Sequence, residues 1–380
     1  MNKPHINVSR PDSVHNLVTV SGQNIPAVGL FTFGDSNFEA GNRKFLTTAL
    51  VPQNFWPYGK SRDDPNGKYS DGKILPDFIA KFMGIPHDLP PALKPGADVS
   101  GGASFAVGDA SILGSPKDSL TLSQQIRQFN KMISNWKGDY LLKSVFMISI
   151  GMEDYYNFTK NNPNADASAQ QAFAISVTNK LKKDNSLLYS SGASKFVIPT
   201  IAPLDCLPIA RQEFKTGNDC YEKLNDLVKQ HNAKIGPMLN ELAKSTPGFQ
   251  FTVFDFYNVI FRRTQHNMNY RFSVTNISCC GVGTHNAYGC GLPNVHSKLC
   301  EYQRSYLYFD SRHNSEKAQE AFAHLLFGAE ANVVQPMNVR ELIVYPVDEP
   351  MREYWENPME EKLSLVQDVD VDASGSLYLV

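Results

Sequence analysis

Phe31-Thr-Phe-Gly-Asp-Ser-Asn-Phe38 is the stretch on which the reading of this chain turns. The residues from Ile25 to Phe33 form a short apolar run bounded by Pro26, the pattern of a buried strand entering a sharp turn. Gly34, Asp35 and Ser36 supply the turn, and Ala40-Gly41-Asn42 follows. A serine just past a strand end is where a rigid sheet holds a nucleophile exposed. Gly-Asp-Ser also occurs in ordinary turns, so the tripeptide gains meaning only when the other parts of a site follow in order.

Working outward, four more apolar runs read as strands: Ala103–Val107, Ser144–Ile150, Lys195–Ile201 and Gln250–Phe256. Between them, helical spacing predicts helices over Gly72–Phe82, Leu122–Trp136, Ala167–Tyr189 and Cys220–Lys244, with another over Ser315–Phe327. Five strands alternating with helices predict an α/β fold, a parallel sheet with helices on both faces. Ligands in such sheets bind beyond the carboxyl ends of the strands, where Ser36, Gly108 and Glu153 would sit. The polar loop from Pro52 to Asp71 is too long to be an idle connection and is expected to form a binding wall. The segment from Asn258 to Leu307 reads as loop-rich. The organisation expected is a flexible lead-in over 1–24, one domain over 25–345, and an acidic tail over 346–380 with nine acidic residues against Arg352 and Lys362.

The whole chain, 380 residues with a net charge of −2, is long enough for a large core and presents no basic excess to attract nucleic acid. Its longest apolar runs fall short of the ~18 residues that span a bilayer. Met1 to Asn24 lacks the apolar core of a secretory signal. The six cysteines, at 206, 220, 279, 280, 290 and 300, point the other way. Their spacing fits neither a zinc ribbon nor a redox Cys-x-x-Cys, and the clustering predicts disulfides formed in an oxidising compartment, with the pairing open. Sequons at Asn7, Asn157 and Asn276 are compatible with glycosylation there.

Ser36, Asp310 and His313 are the residue types of an acyl-transfer triad. A carboxylate three residues before the histidine, at a loop-to-helix junction, can accept the Nδ1 proton and leave Nε2 facing the serine. Asp-x-x-His could equally cap the helix that follows.

Taken together, these stretches resemble the plant branch of the GDSL esterase/lipase family, within the SGNH hydrolases. Phe33-Gly-Asp-Ser36 with Gly41-Asn42 is similar to its first block, Ala103-Ser-Phe-Ala-Val-Gly108 to its second, Ser149-Ile-Gly-Met-Glu-Asp-Tyr155 to its third, and Phe309-Asp-Ser-Arg-His313 to its last. Pro203-Leu-Asp-Cys206 and Cys279-Cys280-Gly-Val-Gly283 also match landmarks of that branch. The resemblance implies a three-layer, flavodoxin-like fold around a five-stranded parallel sheet, and hydrolysis of carboxylic esters without metal or cofactor. It also implies a secreted glycoprotein, in an extracellular, vacuolar or endoplasmic-reticulum-derived compartment. Within the family, the chain is similar to the crucifer myrosinase-associated proteins in Asn54–Asp64, Gly151–Tyr156 and the acidic tail. That similarity implies a complex with a myrosinase or related β-glucosidase, and with a jacalin-type lectin.

Carried over residue by residue, Ser36 is the nucleophile and a backbone oxyanion donor, Gly108 a second backbone donor, His313 the general base and Asp310 its orienting acid. The family's third oxyanion donor is an asparagine, and Glu153 occupies its place here. Ser104 and Asp109 also depart, standing where the family has asparagine and glycine. An ionised glutamate cannot donate. Losing a donor costs ~10²–10³ in rate. A carboxylate ~4 Å from the oxyanion adds about 4 kcal/mol of repulsion at an effective dielectric of ~20. A buried, protonated Glu153 would instead donate, and its rate would fall as pH rises. Two readings follow. One is an esterase with impaired or specialised activity; the alternative is an inactive hydrolase fold serving as a scaffold, its Phe55–Asp64 loop or acidic tail contacting a glucosidase or lectin.

Overall fold

The computed structural model describes residues 28–265, 267–328 and 332–348, together with the backbone of two short strands, Val369–Val371 and Leu377–Leu379, that pair antiparallel. The expected lead-in over 1–24, with the Asn7 sequon, and most of the acidic tail lie outside the described residues.

The central sheet contains the five strands expected, here β1 (Leu30–Gly34), β2 (Gly102–Ser104), β3 (Val145–Ser149), β4 (Lys195–Pro199) and β5 (Gln250–Phe254). All five run parallel in the spatial order β2-β1-β3-β4-β5, the flavodoxin-like order. Every residue of β1, β3, β4 and β5 is buried, because helices cover both faces. A two-residue hairpin, β6 (Cys280–Gly281) with β7 (Lys298–Leu299), stands apart from the sheet. The sheet gains a sixth strand that the sequence reading did not contain, β8 (Val334–Gln335), antiparallel on β5. Two residues are too few to show an alternation.

The helices are α1 (Leu75–Phe82), α2 (Leu122–Met132), α3 (Tyr140–Lys143), α4 (Met152–Asn161), α5 (Ala167–Ser190), α6 (Pro208–Glu213), α7 (Glu222–Ser245), α8 (Phe256–Gln265), α9 (Glu316–Gly328) and α10 (Val339–Val344). On one face α5 packs between α2 and α7; on the other α9 packs against α1 and α10. The helices expected from spacing are present with trimmed ends: Pro76 confines α1 to a start at Leu75, and Ile133–Asn135 continues α2 as a 3₁₀ turn. The segment read as loop-rich opens instead with α8. More consequentially, α4 begins directly after β3, so Glu153 lies in the first turn of a helix.

Aromatic packing fixes β1 within this frame. Phe31 stacks on Phe146 of β3 with ring centroids 5.0 Å apart and meets Trp136 edge-on at 4.7 Å. Phe33, two residues on and therefore on the same face, stacks on Phe105 at 5.2 Å and meets Phe129 of α2 edge-on at 5.8 Å. Such rings add about 0.5–1.5 kcal/mol per pair beyond the area they bury.

Candidate active site

The turn after β1 is set by its backbone. Gly34 has φ +128°, and a Cβ there would lie 1.8 Å from the Ser149 carbonyl oxygen, so β1 can approach β3 this closely only with glycine. The buried Gln125 side chain of α2 clamps the same residue: its Oε1 accepts the Gly34 N–H at 2.8 Å and its Nε2 donates to the Gly34 carbonyl at 2.8 Å. Asp35 N–H then donates to Ser149 O at 2.9 Å. Ser36 therefore leaves the sheet in a fixed direction.

Asp310 and His313 arrive from the loop before α9. His313 Nε2 lies 2.7 Å from Ser36 Oγ, and His313 Nδ1 lies 2.8 Å from both carboxylate oxygens of Asp310. Asp310 Oδ1 also accepts the backbone N–H groups of Arg312 at 2.9 Å and His313 at 2.8 Å, while Oδ2 accepts the Tyr58 hydroxyl at 2.8 Å. Burial would raise the Asp310 pKa, but the His313 imidazole and these hydrogen bonds outweigh it and hold the carboxyl below its usual range. The Tyr69 ring packs on the His313 imidazole with centroids 4.5 Å apart. Serine, histidine and carboxylate thus stand in the order needed to draw a proton from Ser36, with the histidine's orientation fixed on two sides.

Sequence reasoning missed Tyr58, which is buried and comes from the polar loop expected to be a binding wall. Its aromatic neighbours Phe55 and Trp56 are a visible signal, but a hydrogen bond to Asp310 across 252 residues has no local signature.

The opposite side of the site departs from the expected pattern. The Gly108 N–H does not point at open space: it donates to Glu39 Oε2, while Glu39 Oε1 accepts the Arg43 N–H at 2.6 Å. Burial pushes the Glu39 carboxyl up to about 8 against those two hydrogen bonds. Gly108 is therefore engaged by a side chain in the arrangement seen here, and is not a free second donor. Asp109 adopts φ +59°, the left-handed conformation that explains a glycine at this place in the family and that aspartate tolerates. Its carboxylate pairs with Arg43, which also pairs with Asp118 at 2.9 Å. Ser104 donates its hydroxyl to Phe38 O at 2.9 Å, and Asn42 Nδ2 donates to Ser104 O at 2.7 Å and Ala106 O at 2.9 Å. Those bonds tie the first block to the second.

Glu153 is buried and forms an ion pair with Arg312, Nη1 donating to Oε1 at 2.8 Å. It is thus not the lone carboxylate that the sequence alone suggests. The next residue, Asp154, accepts the N–H groups of Ile112 at 2.8 Å and Leu113 at 3.0 Å, fastening the start of α4 to the loop after Gly108. Close by, burial pushes the Asp35 carboxyl up to about 7, with the Asn37 N–H groups opposing the shift and the Glu153 charge adding to it.

A cavity of about 310 Å³ opens over Ser36 and His313, with Glu153 and Arg312 on one side and Leu50, Pro52, Tyr288 and Leu292 among its wider walls. Its lining also includes Cys280 and Cys290, which are joined to each other. The other disulfides are Cys206–Cys220 and Cys279–Cys300, leaving no cysteine free. Among the described residues, one cluster has metal-ligating side chains, Asp205 with Cys206 and Cys220, and its two sulfurs are spent on a disulfide. Asn157 is exposed on α4, and Asn276 is partly exposed, its Nδ2 donating to Asn218 Oδ1 at 2.9 Å.

Residues 30–326 match the family described as GDSL-like Lipase/Acylhydrolase. The chain is 84% identical over 354 residues to a GDSL esterase/lipase of Arabidopsis thaliana, covering 93% of this chain and 95% of the relative. It is 74% identical to Inactive GDSL esterase/lipase-like protein 23 of the same plant, covering 90% of each, and 67% identical to GDSL esterase/lipase ESM1, covering 90% of this chain and 89% of the relative. The disulfides and the plant relatives fit the secretory pathway. Among the described residues, no helix is long and apolar enough to cross a membrane.

Proposed function

The chain belongs to the GDSL lipase/acylhydrolase family, and from that premise we propose that Ser36, His313 and Asp310 hydrolyse a carboxylic ester. The observation that carries the reading is the continuous relay from Ser36 Oγ to His313 Nε2 at 2.7 Å and from His313 Nδ1 to Asp310 at 2.8 Å. Ser36 Oγ attacks the ester carbonyl as His313 Nε2 takes its proton. The tetrahedral intermediate collapses, the alkoxide leaves with that proton, and a water molecule repeats the sequence on the acyl-serine. Asp310 stays ionised and steadies the imidazolium. The wider cavity walls offer apolar contact from Leu50, Pro52 and Leu292, which suits a compact lipophilic ester.

The purified chain should hydrolyse a short-chain p-nitrophenyl ester, and Ser36→Ala should abolish that turnover. Equal rates for the two proteins would remove Ser36 as the nucleophile.

The finer partner and compartment expectations rest on the resemblance. The Phe55–Asp64 loop contacts a β-glucosidase or jacalin-type lectin in a vacuolar, extracellular or reticulum-derived compartment. Trp56 is 52% exposed on that loop, an unusual position for so large an apolar side chain. Trp56→Ala should lower recovery of a purified β-glucosidase or jacalin-type lectin on the immobilised chain; undiminished recovery of both would exclude Trp56 from the contact.

A further inference from the structure

We propose that Arg312 replaces the family's asparagine as the side-chain donor to the oxyanion, with Glu153 serving to hold and neutralise it. The inference rests on the esterase reading above and deepens it at one atom.

The argument begins with the hydrogens available around the ester carbonyl. Of the three donors the family uses, the Ser36 N–H has no acceptor among the described residues. The Gly108 N–H is turned to Glu39, and Glu153 has no hydrogen to give when it is ionised. A site with one donor would stabilise the tetrahedral intermediate poorly. Two cations line the cavity with Ser36, namely Arg43 and Arg312. Arg43 is held by Asp109 and Asp118 and also meets the Tyr69 hydroxyl at 3.4 Å. Arg312 carries five N–H donors on a rigid fork, and the pair with Glu153 engages one of them.

Its position is also fixed. The guanidinium lies over the Tyr156 ring, 4.4 Å from the centroid, and Glu153 grips its Nη1 at 2.8 Å. Its backbone N–H donates to Asp310, so the same residue belongs to the triad's own loop and moves with it. Burial opposes the charge on Arg312 most strongly, and Glu153, with Tyr156, Asp109 and Glu213, together more than offsets it. A carboxylate that would repel the developing negative charge is thereby converted into the anchor of a cation that attracts it.

In the acylation step, Ser36 Oγ bonds to the carbonyl carbon, the carbon–oxygen double bond becomes a single bond, and the electron pair moves to the carbonyl oxygen. Arg312 donates a hydrogen bond to that oxygen without giving up its proton. The electron pair returns when the alkoxide departs with the proton held by His313. Charge on the oxygen peaks in the intermediate, so loss of Arg312 should appear in kcat.

The test compares wild type, Ser36→Ala, Arg312→Gln, Arg312→Lys and the double variant Arg312→Gln/Glu153→Asn on a p-nitrophenyl ester, with thermal melting to establish that each is folded. Arg312→Gln should lower kcat by ~10²–10³ with little change in KM, the loss typical of one oxyanion donor. Arg312→Lys keeps a cation beside Glu153 but loses the fork, and should lose about 10-fold. The double variant places an amide donor where the family has one and removes the carboxylate; it should recover to within about 10-fold of wild type. Wild-type turnover that requires Ser36 but is unchanged in kcat by Arg312→Gln would overturn the Arg312 role alone. Turnover no greater than that of Ser36→Ala would overturn the esterase reading, and the Arg312 role with it.

Discussion

The two sides of the Ser36 cavity are built in different ways. On the nucleophile side, each polar group has the neighbour that its chemistry requires: the turn is clamped by Gln125, His313 bridges Ser36 and Asp310, and Tyr58 completes the carboxylate's shell. On the facing side, where the proposed oxyanion donors lie, a backbone and a side-chain donor are both engaged by carboxylates, Gly108 by Glu39 and Arg312 by Glu153. The first side sits at the end of a strand buried on both faces, while the second is assembled from the start of α4 and two loops. The Ser36 turn at the sheet, with Asp310 and His313 from the loop before α9, keeps its contacts while Gly108 and Arg312 are engaged by carboxylates.

That contrast can be tested from both ends. On the nucleophile side, Tyr58→Phe removes one of the hydrogen bonds to the Asp310 carboxylate while preserving the ring that packs edge-on against Phe309, centroids 5.2 Å apart. The expected loss in kcat/KM is about 10-fold, the scale of one hydrogen bond to a charged group. An unchanged rate would mean that the imidazole and the Arg312 and His313 backbone N–H groups orient Asp310 without Tyr58. On the facing side, Glu39→Gln addresses stability with pH. The carboxyl is raised from 4.5 to about 8 in the folded protein, so the unfolded chain releases this proton at lower pH than the native state does. Between those values the unfolded state binds fewer protons, and this group makes stability fall as pH rises. Denaturant unfolding followed from pH 4.5 to 8 should show a shallower decline in Glu39→Gln than in wild type; parallel curves would remove Glu39 as a source of that slope.

How much could be read beforehand follows the same division. The five parallel strands and the main helices were legible because buried strands and amphipathic helices repeat over many residues. Ser36, Asp310 and His313 were legible as motifs tied to element ends, and the structure brings them together. Pairings across long sequence distances were not. Arg312 and Glu153 are 159 residues apart, and nothing local in either sequence marks the other as its partner. Glu39 lies three residues after Ser36, yet its bond to Gly108 depends on β1 and β2 lying side by side. The cysteine cluster announced disulfides, but choosing Cys279–Cys300 with Cys280–Cys290 over the other pairings required the positions of the chain segments. Helix α4 is absent from the helices that spacing predicts, so Glu153 gains its helical setting only from the structure.

The cross-linked loop over Cys279–Cys300 carries a broader consequence. It supplies the cavity wall at Ala287, Tyr288 and Leu292; two disulfides close it on itself, and the Cys279 and Cys280 N–H groups tie it to Tyr308 and Phe309. The exposed Tyr288 and the half-buried Leu292 can vary in size and polarity with little effect on the sheet, since the disulfides, the buried Ala287 and the His285 and Ala287 N–H bonds to Gln212 hold the loop's backbone. Substrate choice and bond-breaking chemistry are thereby separately heritable: the wall behaves as an exchangeable cassette, open to diversification by gene duplication or to grafting by design, while the machinery beneath it stays the same.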